Sequence, residues 1–362
     1  MSDTPTQAPH QHAAATPGPP PASESERVEA EAGTPVDRRG GAMALLRSSA
    51  GHNLGLIVAL GLLCAVGVAT AGDRFADVSN MMTILRLAAV IGVVSIGMTF
   101  VITGGGIDLS VGAIVALSSV WATTLATQTM ANEQHWLLMV FAAVAVGAGC
   151  GLVNGVLISY GRVVPFIATL AMLASARGLA EIISDRRTQI ANVPAFRDAM
   201  STEPLGIPLL VWIFVVVAAS GWVLLNRTTF GRRTLAVGGN PEAARLAGID
   251  VKRHTVMLYV LVGVCCGIAA IMLVSRTTTG SSTHGTLYEL DAIAAVVIGG
   301  TLLSGGRGTI VGTVFGVLIF TTLSNVFTLN NLSISAQSLA KGLIIVVAVL
   351  LQQRLAKRST AT

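Results

Sequence analysis

The string NPEAARLAGID, residues 240–250, holds what a short helix needs to keep its shape while another surface grips it. Asn240 can accept from free backbone N–H groups, Pro241 has its φ pre-set for the first helical position, and Glu242 suits the positive end of the helix dipole. Ala243, Ala244, Arg245, Leu246 and Ala247 carry the helix to Gly248, which can take the left-handed conformation that stops it. About seven residues of helix are too few to be stable alone in water. The segment is therefore expected to be either a docking element seated in a partner's groove or an ordinary ordered connection.

A second string, GGGIDLSVG at 104–112, breaks one apolar run and starts the next. Gly104, Gly105 and Gly106 let backbones approach closely or change direction, and Asp108 is placed to cap the following helix through its free backbone donors. With Ser110 it reads as part of an inner gate, the alternative being a tight turn with a satisfied cap. Asn154, an amide inside an apolar run, more often bonds across helices than to a solute. In VVPFIATLAML, 163–173, Pro165 starts a helix where its missing donor costs nothing, and Phe166 and Thr169 bring a ring and a hydroxyl to its first turns.

Bond-breaking chemistry has no visible seat. The chain shows no HExxH and no Ser/His/Asp, Cys/His or paired-carboxylate arrangement inside its apolar runs, and its cysteines and histidines are scattered. Lys252, Lys341 and Lys357 are its lysines, and none follows a glycine, so there is no GxxxxGK[ST] phosphate loop. No enzyme activity, cofactor or metal is expected, and any ATP is hydrolysed on another polypeptide. Asp108 and Asp291 would be the residues to suspect in an intramembrane enzyme. The charges considered, Arg86, Asp108, Asp291 and Lys341, fall near span ends, which argues against a mid-membrane relay of a self-powered carrier.

These strings must be positioned by a lipid-embedded scaffold. Apolar residues make up 52% of the chain and charged ones 11%, the composition of a polytopic helical membrane protein. Apolar runs predict ten spans, near 54–72, 81–103, 109–127, 136–158, 166–183, 207–225, 255–275, 288–303, 309–327 and 336–352. The expected fold is an all-α bundle of about ten transmembrane helices, eight to ten allowing for 288–308, which is Gly-rich and could be a re-entrant or broken helix. Arg38, Arg39 and Arg47, then Arg162, then the basic loop 226–254, then Arg307, then Arg354, Lys357 and Arg358 fall in alternate segments. By the positive-inside rule these segments and both termini are cytoplasmic, and the positive charge reflects orientation in lipid, with no nucleic-acid partner. Residues 1–50 are expected to be a disordered tail, 51–354 the membrane domain and 355–362 a second tail.

Four long strings occur in an order that resembles the permease subunits of bacterial ATP-binding-cassette importers of the ribose, xylose and galactose type. They are GMTFVITGGGIDLSVGAIVAL from Gly97, NGVLISYGRVVPFIATLAMLASARGLA from Asn154, TTFGRRTLAVGGNPEAARLAGIDV from Thr228 and AIAAVVIGGTLLSGGRGTIVGTVFG from Ala292. The resemblance implies two copies of the chain around one pathway in the inner membrane. It further implies a cytoplasmic ATPase, contacted by residues 240–248, and an extracytoplasmic sugar-binding protein. It makes 104–110 and 165–170 pathway-side elements. Permeases for autoinducer-2 or sugar alcohols are similar at this level, so the solute stays open.

Overall fold

The computed structural model describes residues 49–359. The expected N-terminal tail, up to residue 48, and residues 360–362 lie outside them. In chain order the elements are α1 (Ser49–Ala71), α2 (Asp73–Ala76), α3 (Val78–Thr103), α4 (Val111–Ala122), α5 (Leu125–Glu133), α6 (Leu137–Ser159) and α7 (Pro165–Ser184). There follow β1 (Gln189–Ile190), α8 (Pro194–Met200), α9 (Leu209–Arg227), α10 (Thr229–Gly239), α11 (Pro241–Leu246), α12 (Val251–Thr277) and β2 (Thr279–Gly280). The chain ends with α13 (Tyr288–Ile298), α14 (Ile310–Leu329) and α15 (Ile334–Ser359), so the tail expected from 355 begins as helix.

Among the described residues seven helices are long and apolar enough to cross a membrane. The pair α4 and α5, bent by 56°, makes an eighth if taken as one span. The protein is an all-α polytopic membrane protein. The run expected to cross unbroken at 109–127 bends at Thr123 and Thr124, where the Thr124 side chain caps α5 by accepting from the Thr127 amide. The span expected at 288–303 is an 11-residue helix, α13, about 16 Å long and too short to cross by itself. Irregular backbone precedes it at 281–287 and, where the glycines of 288–308 fall, follows it at 299–309.

Helices α3 and α12 form the centre, while α1, α7 and α9 turn most of their apolar side chains outward. Lipid tails are as apolar as leucine, so helices in a bilayer associate through close packing of small residues. The α6–α12 pair shows this: Gly147, Gly151 and Gly155, one every four residues, lie against Gly263, Tyr259 and Val256 of α12. Any Cβ on Gly147 would run into the Gly263 carbonyl, and the reverse holds too. Buried polar pairs add specificity between α3 and α14. The Thr99 and Thr313 hydroxyls meet at 2.8 Å, and Asn80 and Asn325 exchange amide hydrogen bonds of 3.2 and 2.7 Å.

Candidate functional site

The 240–250 string folds as its residue types dictate. Asn240 Oδ1 accepts from the Glu242 and Ala243 amides, both at 3.0 Å, with Pro241 in the first turn. Gly248 has φ +83°, its amide donates to the Arg245 carbonyl, and the Ile249 amide donates to Ala244, closing the C-terminal end. Ala244 is the buried contact of α11, whereas Leu246 is 76% exposed. Arg245 grips Glu242 through two nitrogens, and those hydrogen bonds hold the Glu242 carboxyl below its ordinary range. The result is a pre-shaped knob that presents one apolar and two charged side chains outward.

That knob is tied to the membrane helices from both sides. Downstream, Asp250 caps α12 by accepting from the Arg253 amide, and His254 on the same helix meets the Thr234 hydroxyl of α10 at 2.9 Å. Upstream, α10 ends in Gly238 and Gly239, and this pair is packed backbone to backbone against two other glycine turns. A Cβ on Gly238 would strike the carbonyl of Thr103, at the end of α3, and come within 2.6 Å of the Gly306 amide. Gly306 itself donates to the Thr103 carbonyl at 2.9 Å, and Gly305 lies against Gly105 and Gly238. Thus the ends of α3 and α10 and the turn between α13 and α14 converge where α11 begins. Sequence reasoning missed this junction. Its signal was three glycine clusters, TGGGID, AVGGNP and LSGGRG, each at the end of an apolar or basic element.

Just beyond the junction sits the 104–110 turn. Asp108 does not cap the next helix as expected; its Oδ1 accepts from the amide and hydroxyl of Ser110, at 2.8 and 2.5 Å, closing the turn on itself. The helix begins at Val111, with Ser110 in the flanking position and no side-chain cap. Asn154 of α6 donates to the Ser110 hydroxyl at 2.9 Å, the cross-helix bond expected of a buried amide, and the Tyr259 hydroxyl of α12 donates to the Ile107 carbonyl. Asp108, Ser110 and Asn154 are fully buried, and they form one polar cluster inside the bundle.

The structure therefore brings Gly104, Gly105, Gly106, Asp108, Ser110 and Asn154 together, next to the junction that carries residues 240–248. Pro165, Phe166 and Thr169 do not join them through hydrogen bonds. Thr169 is buried and spends its hydroxyl on the Pro165 carbonyl of its own helix, while Phe166 is 54% exposed. Several charges are also drawn into contacts within the bundle. Lys341 of α15 pairs with Asp291 of α13 at 3.4 Å, with side chains 24% and 13% exposed. Arg177, inside α7 and not singled out from sequence, donates through Nη1 to the carbonyls of Ser282 and His284. Arg86, near a span end, pairs with Glu203.

Residues 80–351 match the family described as "Branched-chain amino acid transport system / permease component". The chain is 43% identical over 305 residues to the ribose import permease protein of Bacillus subtilis (strain 168), covering 84% of this chain and 93% of that one. It is 39% identical over 302 residues to the ribose import permease protein of Escherichia coli (strain K12), covering 82% and 92%. It is 38% identical over 319 residues to the L-arabinose ABC transporter permease protein of Azospirillum brasilense, covering 88% and 91%. No solved structure is a significant match to the chain.

Proposed function

We propose, starting from the fact that the chain belongs to the permease-component family of branched-chain amino acid transport systems, that it carries a neutral monosaccharide across the inner membrane. As a permease of sugar-importer type it is a multi-pass membrane protein and a transport component, not an enzyme. In this reading two copies surround one pathway, a cytoplasmic ATPase supplies the energy, and an extracytoplasmic binding protein delivers the sugar. The relatives named for ribose and L-arabinose support a pentose or a similar sugar as the solute.

The observation that carries the coupling step is the attachment of the exposed α11 knob to the glycine junction. A partner that pushes on Leu246, Arg245 and Glu242 moves Asn240, and with it Gly238. Because Gly238 has no room against Thr103 and Gly306, the push passes to the end of α3 and to the turn between α13 and α14 without being absorbed by side-chain rotation. The buried polar turn at Asp108 lies next in line as the gate. A bias of a few kcal/mol between two arrangements suffices to shift their populations substantially.

The decisive experiment compares liposomes. With the ATPase and binding protein present, ATP drives accumulation of D-ribose or L-arabinose; with this chain alone, no ion gradient does. Accumulation by the chain alone would replace the importer by a self-powered carrier. Orientation has its own test. A cysteine introduced at Arg233, exposed on α10, is expected to react with a membrane-impermeant maleimide only after permeabilisation, and one at Asn192, exposed after β1, to react in intact cells. The reverse pattern would invert the topology.

A further inference from the structure

One polar cluster takes no part in the coupling path. From β2, which pairs with β1 at the end of the bundle opposite the glycine junction, the chain does not turn straight into a helix. It runs down along α4: Gly280 lies against Ser119, and Gly285 against Gly112, about 10 Å nearer the junction end at 1.5 Å per residue. Only there does α13 begin. Irregular backbone at membrane depth is tolerated where protein buries it or where it lines a water-filled space. Protein buries part of it here: Ser281, Ser282 and Gly285 are buried against α4 and α7, while Thr283 and Thr286 are exposed.

Three ionisable groups converge on this segment. Arg177 reaches from α7 to hold the Ser282 and His284 carbonyls, His284 Nδ1 meets the Ser119 hydroxyl at 3.2 Å, and Glu289 in the first turn of α13 lies over Gly112. Arg177 and Glu289 attract each other through space, and both are only partly buried. The Glu289 carboxylate accepts from its own backbone amide, and no other residue among those described donates to it. A charged, half-exposed group within the span of the bundle cannot face lipid tails without a large cost, so this face turns toward the pathway or a second copy of the chain and away from lipid.

We infer that Glu289, Arg177 and the Thr283 and Thr286 hydroxyls form a contact site for a neutral polyhydroxylated solute in the pathway. The inference rests on the permease reading above and adds the residues that touch the cargo. A carboxylate with free lone pairs accepts from two neighbouring hydroxyls, and a guanidinium anchored by one nitrogen keeps donors for ring or hydroxyl oxygens. The Thr286 hydroxyl donates to the Thr283 carbonyl and the Thr283 hydroxyl meets that of Ser281, so both threonines offer acceptor lone pairs to a solute hydroxyl. The opposite charges cancel, so the site suits an uncharged polyol.

The test uses the complete importer, with its ATPase and binding protein, in liposomes, and measures uptake of labelled D-ribose and L-arabinose beside binding-protein-stimulated ATP hydrolysis. Wild type is read first: failure to move either sugar would fail the monosaccharide reading itself and take this inference with it. Glu289→Gln is expected to lower uptake about tenfold, the size of one lost charge-assisted hydrogen bond, while stimulated ATP hydrolysis stays near the wild-type rate. Thr283→Val with Thr286→Val, both on the exposed face, is expected to lower uptake severalfold and decides the question if Glu289→Gln reaches the membrane poorly. Wild-type uptake at equal membrane abundance would overturn the site. So would a parallel loss of uptake and ATP hydrolysis, because the cluster would then belong to the structural framework.

Discussion

Ala244→Pro is expected to leave the protein in the membrane at normal abundance and to abolish uptake. The Ala244 amide donates to the Asn240 carbonyl at 3.0 Å, and its side chain is the part of α11 turned inward, 4% exposed. Proline removes that donor, and its ring clashes with the carbonyl four residues earlier, here that of Asn240. In a helix interior this costs about 3 kcal/mol or more, and a helix of six residues has no reserve to absorb it. The membrane helices do not depend on α11 for insertion, since none of their spans includes it. Loss should therefore show as uptake and binding-protein-stimulated ATP hydrolysis falling together, with unchanged protein in detergent extracts. Uptake at the wild-type rate would remove α11 from the coupling path.

Gly238→Ala is the second large effect, and its neighbour is the control. The added methyl on Gly238 meets the Thr103 carbonyl and the Gly306 amide, both backbone, so no rotamer change relieves the overlap. Overpacking of this kind costs about 1–3 kcal/mol, and relief requires the ends of α3 and α10 to part. At Gly239 the same methyl finds its nearest neighbour, Gly306 Cα, at 3.9 Å, an ordinary van der Waals contact. Gly238→Ala should thus lose most uptake and lower the thermal midpoint of the purified protein, while Gly239→Ala should keep both near wild type. Equal behaviour of the two variants would show that the junction is not a tight mechanical contact.

Much of this was legible from residues alone, for identifiable reasons. The cap at Asn240, the start at Pro241 and the stop at Gly248 are local decisions, made by atoms within four residues of one another, and the structure has them as read. The bundle was legible because long apolar runs have one stable solution in lipid, a helix that satisfies its own backbone. Asn154 was read as a cross-helix donor because a buried amide has few alternatives, and it donates to Ser110. Asp108 differs: from sequence a carboxylate three residues before a helix start looks like a cap, but the turn folds so that Ser110 supplies both donors. The run 288–303 was apolar enough for a span, yet apolarity does not reveal that Gly285 must settle against Gly112 before a helix can begin.

Solvent and local capping, then, were written in the order of the residues: lipid as the surroundings, helices as the elements, and one preformed knob between two of them. Tertiary structure alone decided which glycines touch, that Arg177 reaches the 281–287 segment, and that the knob is joined through Gly238 to the end of α3 and to the turn between α13 and α14. The reason is range. A cap or an apolar run is set by interactions within a turn or two of chain, whereas Gly238, Thr103 and Gly306 are far apart in sequence and meet only when packed helices bring their ends together.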